Sequence, residues 1–168
     1  MKQKRQIHTI PPVADENARV LILGTFPSPK SRESGFYYGH PRNRFWPVLA
    51  AVCGAAVPQN KAEKLALLHQ NGIALWDVLQ SCTIAGASDS SILQPVANDI
   101  AGLLHCTQIT AVFTTGTKAA ALYHQYCEPK TGIPAIALPS TSPANCRMCL
   151  EELIKAYAVL TAYLPKSD

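Results

Sequence analysis

The segment "VLILGTFPSPKSRESGFYYGHPRNRFW" runs from Val20 to Trp46. It opens on an apolar run, passes through a loop crowded with prolines, aromatic rings and basic residues, and closes on a helix-like stretch. The run "VLILG" is continuous and not alternating, which is the pattern of a strand covered on both faces. Three further runs share that character: "GIALWDVL" (Gly72 to Leu79), "ITAVFTTG" (Ile109 to Gly116) and "IPAIALPS" (Ile133 to Ser140). The first run, with its flanks, is read as a strand over Arg19 to Thr25. Helical patterns fall between the runs. "RFWPVLAAVC" and "NKAEKLALLHQNG" separate the first two, the latter stopping at Asn71-Gly72. "VANDIAGLLHC", with Asn98 as its N-cap, precedes the third run, and "TKAAALYHQYC" follows it. A last amphipathic stretch, "NCRMCLEELIKAYAVLTAYL", ends the chain. Strands alternating with helices predict an α/β fold with a parallel sheet and helices on both sides.

Ligands in such sheets bind beyond the carboxyl ends of the strands. Three irregular segments are expected there: Pro27 to Arg44, Gln80 to Ser91, and Pro139 to Asn145. Two of them are long enough to suggest function.

Composition sets the class. The 168 residues suit one domain, read as 1–168 with residues 1–18 as an N-terminal extension. Nearly half of them are apolar, which excludes a disordered chain. No apolar run is long enough to span a membrane, and the basic N-terminus has no apolar core of a signal peptide. The expectation is a cytoplasmic monomer with no membrane partner. Six cysteines are read as free thiols, mostly in the core. The pair Cys146 and Cys149 has no second pair at zinc spacing, so no metal site is expected. The net charge of +4 and pI of about 8.8 permit a polyanionic partner without demanding one.

In the first loop, "GTFPS" turns the chain sharply, so that backbone N–H groups around Thr25 to Ser28 can face a cleft. Phe36, Tyr37 and Tyr38 are hard to bury together, because each buried phenol needs a partner. An aromatic face beside a cleft can stack on a base. Arg42 and Arg44 suit phosphates or carboxylates. Asn43 offers a donor and an acceptor, fitting an amide-bearing base edge or a positioned water. It fits equally well as the N-cap of the helix near Phe45. Asp77, just upstream of the second loop, and Asp89, within it, each fit a general base or charge stabiliser, or a turn cap; the structural reading is preferred for Asp77, and Asp89 stands open between the two. The third loop, "LPSTSPANCRMC", carries hydroxyls into a helix whose first turn holds Arg147. That arrangement suits DNA phosphate, or simple capping by Ser142 or Asn145.

Taken in order, "LILGTFPSPKS…GFYYGHPRNRFW", "GIALWDVL…AGASDSSI" and "LPSTSPAN" resemble the uracil-DNA glycosylase superfamily, in its hypoxanthine-DNA glycosylase (DNA-deoxyinosine glycosylase) branch. "GHPRNRFW" is also similar to the "HPxNRFW" stretch of mismatch-specific uracil-DNA glycosylases. The resemblance covers roughly Val20 to Leu164. It implies a three-layer α/β/α sandwich around a four-stranded parallel sheet of order 2-1-3-4. It also implies hydrolysis of the N-glycosidic bond of a damaged base in DNA, with no metal or cofactor. Many members carry Asp or Asn where this chain has Phe26, a side chain that can neither position nor activate water. In the hypoxanthine branch the catalytic role is assigned to the asparagine that is Asn43 here.

By the same resemblance Tyr38 stacks on the flipped base, with Gly24, Thr25, Phe26, Ser28 and His40 around it. Arg42, Arg44, Ser140, Thr141, Ser142, Asn145 and Arg147 meet the DNA, and the third loop supplies the wedge. The implied substrate is deoxyinosine, then deoxyuridine. One asparagine amide would meet both the ring N–H and the neighbouring carbonyl of either base. Two rivals come from other classes. One is a nucleic-acid-binding member without catalysis, which Phe26 supports. The other is a small-molecule enzyme on a flavodoxin-like sheet, which the absence of a glycine-rich phosphate fingerprint disfavours.

Overall fold

The structure is a computed structural model and describes residues 4–84 and 91–165. Its centre is β2 (Val20–Gly24), buried along its whole length. Val20 and Ile22 point into one apolar layer, Leu21 and Leu23 into the other. This two-sided burial explains the unbroken apolar run, since each fully buried Leu or Ile contributes about 1.5–3 kcal/mol. Beside β2 lie β3 (Ile73–Asp77) and β6 (Ala111–Thr115), and β7 (Ile136–Leu138) pairs with β6. All three pairings are parallel and the order is β3-β2-β6-β7, which is 2-1-3-4 counted along the chain.

One face is covered by α2 (Phe45–Cys53), α3 (Lys61–Asn71) and α7 (Leu150–Tyr157), through Phe45, Leu49, Leu68, Leu153 and Tyr157. The other is covered by α4 (Ile100–His105) and α5 (Thr117–Tyr126), through Ile100, Leu122 and Tyr123. The helix stop at Gly72 is a left-handed cap, with φ of 68°. The short α6 (Glu128–Thr131) follows α5.

Several expectations change. Residues 1–18, read as an extension, supply β1 (Lys4–Ile7) and the buried Ile10 and Val13. β1 pairs antiparallel with β4 (Leu79–Ile84), which pairs with β5 (Leu93–Ala97). The second loop, expected to be irregular from Gln80, thus begins as the central strand of a second sheet. Asp89 lies outside the described residues. The first loop contains a helix, α1 (Pro29–Ser34), because Ser28 caps it and Pro29 fits its first position. Asp99, not Asn98, caps α4. The last helix begins at Leu150, so Arg147 lies in the loop before it, and residues Ala158–Ala162 tighten into a 3-10 turn. Cys82 and Cys127 are buried and Cys53 half-buried, but Cys106, Cys146 and Cys149, expected like the rest to be mostly core, are exposed. Among the described residues no helix is long and apolar enough to cross a membrane.

Candidate active site

A cavity of about 770 Å³ opens at the carboxyl ends of β2, β3 and β6. The expected base-facing residues Gly24, Thr25, Phe26, Ser28, Tyr38 and His40 all line it, as do Asn43, Ser140, Thr141, Ser142 and Asn145. Among its described lining residues, Asp77 carries the one carboxylate. Arg42, Arg44 and Arg147 stand outside it.

The N-cap position of α2 falls to Arg44, not to Asn43 as expected, yet the Asn43 side chain one residue earlier meets the first N–H of the helix. Its Oδ1 accepts from the backbone N–H of Phe45 at 2.9 Å and from the Thr141 hydroxyl at 2.8 Å. A backbone N–H can donate only to the amide oxygen, so the orientation of the amide is fixed. Both lone pairs are then engaged. No described residue accepts from Nδ2, so Asn43 offers donors alone to a ligand. The expectation that one amide would serve both donor and acceptor of a base edge does not hold.

Tyr38 lies flat on Phe45, with centroids 3.8 Å apart and planes 12° apart. Its Oη meets the Thr115 hydroxyl at 3.3 Å. The residue sits at φ of 53°, a left-handed conformation that costs a non-glycine residue about 1–3 kcal/mol. Tyr38 is among the residues that line the cavity. Tyr37 and Phe36, by contrast, are core: the Tyr37 hydroxyl donates to Pro11 O at 2.8 Å. Phe26 packs its edge against His8 and carries the Arg32 guanidinium over its face. Ser28 is spent on the α1 cap. His40 Nδ1 accepts from the backbone N–H of Arg42, which fixes the ring at the cavity rim.

Burial raises the phenol pKa of Tyr38 well above 10.0, with the Asp77 carboxylate adding to it. Burial likewise raises Tyr37, again with Asp77 second, and Tyr157. A folded-state pKa above the unfolded one means full stability below pH about 10, lost as pH rises through the raised values. Alkaline titration is therefore expected to release these three protons together with unfolding. Tyrosinate absorbance followed beside circular dichroism checks this. Three tyrosines ionising at an ordinary pKa before any loss of structure would contradict it.

The third loop is held from within. Arg44, expected at DNA phosphate, turns inward: its guanidinium donates to the carbonyls of Met148, Ser142 (3.0 Å) and Asn145 (2.7 Å). Its backbone N–H donates to Thr141 O at 3.0 Å. Asn145 Nδ2 closes the loop onto Ser140 O at 2.8 Å. The Ser140 and Ser142 hydroxyls accept from Ser142 N and Ala144 N, and each keeps an O–H to donate. Arg42 and Arg147 are exposed.

Asp77, for which the sequence favoured a structural role, lines the cavity. It lies opposite Gly24 at the end of β3. A Cβ on Gly24 would fall 2.5 Å from Asp77 Oδ1 and 3.4 Å from Tyr38 Oη, so a side chain here would displace the Asp77 carboxylate. The missed partner is His8, whose Nε2 donates to Asp77 Oδ2 at 2.8 Å. Among the described residues no group of three or more His, Cys, Asp or Glu could hold a metal ion.

Comparison with known proteins gives this geometry a family. A family model described as the uracil DNA glycosylase superfamily matches residues 11–161. A hypoxanthine DNA glycosylase of Methanosarcina acetivorans is 35% identical over 138 residues, covering 82% of this chain and 87% of that protein. A second, from Methanosarcina barkeri, is 41% identical over 83 residues, covering 49% of this chain and 52% of that protein. The solution NMR structure of a candidate uracil DNA glycosylase from Methanosarcina acetivorans superposes with a TM-score of 0.76 at 32% identity. It covers 92% of this chain and 98% of that one. The chain belongs to the uracil DNA glycosylase superfamily and is a DNA glycosylase, an enzyme that hydrolyses N-glycosidic bonds in DNA.

Proposed function

We propose that the enzyme flips a deaminated base, hypoxanthine first and uracil second, out of DNA and hydrolyses its glycosidic bond without cutting the strand. The observation that carries this reading is the Asn43 amide, its oxygen engaged twice and its NH2 without an acceptor among the described residues, in a cavity that Tyr38 also lines. A base within a duplex cannot reach such a cavity, so it must leave the stack. Tyr38, backed by Phe45, offers the ring it stacks on. Cleavage leaves negative charge on the departing base. The Asn43 NH2 donates to the base carbonyl where that charge gathers, and a donor of this kind is worth about 3–4 kcal/mol. With its oxygen engaged, Asn43 cannot take a proton from water. Its work is on the leaving base, which is consistent with a hydrophobic side chain at Phe26. The cavity lining includes no lysine among the described residues, so no amine stands ready to attack the sugar and open the strand. The experiment is base release from duplexes carrying inosine, uracil or adenine at one position. The expected order is inosine, then uracil, with adenine far behind. Equal release from all three would sink the substrate assignment.

DNA binding is assigned to the exposed Arg42 and Arg147 and to the free O–H groups of Ser140 and Ser142. Affinity should fall as salt rises. Arg42→Ala and Arg147→Ala should each lower the salt slope by about one. Titration of a fluorescent duplex across salt concentrations checks this, and a variant with unchanged affinity and slope would leave the list.

A further inference from the structure

The third loop forms one flank of the cavity, and Phe26 and Ile84 line it elsewhere. Two cations stand at this second flank. The Arg32 guanidinium lies over the Phe26 ring, 5.7 Å from its centroid. Lys4 is the ladder partner of Ile84, and residues opposite each other in an antiparallel pair share a face of the sheet. Lys4 is exposed and Arg32 half-buried. The ion pairs among the described residues include neither of them. Arg32 Nε is buried and has no hydrogen-bond partner among those residues. A buried donor left unmet is costly, and a cation lodged over a ring is held in place for an anion. Arg5, by contrast, is engaged. Its guanidinium donates to Gln94 O at 2.6 Å and to Ser81 Oγ at 2.7 Å, on the face of the small sheet away from the buried Cys82 and Ile84.

We propose that Lys4 and Arg32 form a second phosphate-binding flank, which grips the DNA backbone on the side of the extruded base away from the third loop. The assignment rests on the glycosylase reading above, which lays the duplex across the cavity mouth. Extruding a base deforms the strand to both sides of the gap, and contacts to phosphates on both sides offset that cost. A guanidinium can meet two phosphate oxygens at once, and an ammonium serves as a point charge. Lys4 stands before the matched family segment, which starts at residue 11, so β1 adds a DNA contact that the segment does not contain.

The test titrates the full chain, across salt concentrations, with fluorescent duplexes that carry one tetrahydrofuran abasic analogue, from which no base can be released. The analogue is placed centrally, or with the duplex cut short on one side or on the other. On the central duplex Lys4→Gln and Arg32→Gln should each lower the salt slope by about one, and Arg32→Lys, which keeps the charge, should hold it. Lys130→Gln is the control for net charge. It lies on α6, beyond the end of α5 that points away from the cavity, and should leave the slope unchanged. Cutting one flank should abolish the effects of Lys4→Gln and Arg32→Gln and spare that of Arg147→Ala, and cutting the other should do the reverse. The proposal falls if both variants keep the wild-type slope, if Lys130→Gln lowers it as much, or if all three effects vanish with the same flank. Should Arg32→Gln fail to fold, Lys4→Gln, on an exposed edge strand, decides alone. Base release by the wild type from an inosine duplex is measured beside these. Its absence would overturn the glycosylase reading, and the slopes would still decide the flank on their own.

Discussion

Replacing Asn43 by alanine is expected to slow hypoxanthine release by about a hundred- to a thousandfold, the usual effect of deleting one donor to developing charge. Two losses would coincide. The NH2 that meets the leaving base disappears, and so does the oxygen that caps Phe45 N–H and anchors the Thr141 hydroxyl. Each of those hydrogen bonds is worth about 1 kcal/mol, so stability should fall by about 2 kcal/mol. Asn43→Asp separates the effects. Its carboxylate still caps α2 and accepts from Thr141, so the melting temperature should stay near wild type. It offers no donor and places negative charge beside a departing anion, so release should fall at least as far as in the alanine variant. Single-turnover rates beside thermal melts check both. A fast Asn43→Asp enzyme would return Asn43 to a purely structural cap.

Arg44→Ala should be the most destabilising of the arginine replacements. The side chain satisfies three main-chain carbonyls of one loop from the start of α2. A hydrogen bond from a charged group contributes about 1.5–3 kcal/mol, and the losses overlap, so a fall of about 3 kcal/mol is expected. For a domain of this size that lowers the melting temperature by about 6–12 °C. Thr141 would loosen with the loop, so base release should fall too. Arg44→Lys cannot span three carbonyls and should recover little. Calorimetry decides: a melting temperature unchanged in Arg44→Ala would mean that the loop is held by other contacts. By contrast, Arg42→Ala and Arg147→Ala should leave stability intact and alter only the salt dependence of binding.

The parallel sheet was legible because β2 is buried on both faces and leaves a continuous apolar run. Asn43 and Tyr38 were legible because polar and aromatic groups crowd a loop that follows a strand end. Asn43 both holds the first N–H of α2 and lines the cavity, since an amide has two ends and each can serve one role. The small sheet was not legible. β4 carries Gln80, Ser81 and Thr83 in a weak alternation, and the register Lys4↔Ile84 joins segments 80 positions apart. The contact between His8 and Asp77 is of the same kind, spanning 69 positions. Asp77 ends an apolar run and so read as structural, and only its register opposite Gly24 places it at the cavity. Arg44 read as a phosphate ligand because a basic residue in a loop gives no sign of which way it points. Three carbonyls of the folded third loop turn it inward.

The most direct measurement is the product of the wild-type enzyme on a duplex with one inosine. Free hypoxanthine and an abasic site should appear in equal amounts, with the strand intact until alkali is added. Asn43→Asp should form neither at a comparable rate while binding the same duplex. No free hypoxanthine at enzyme excess would contradict the account, and so would strand cleavage that keeps pace with base release.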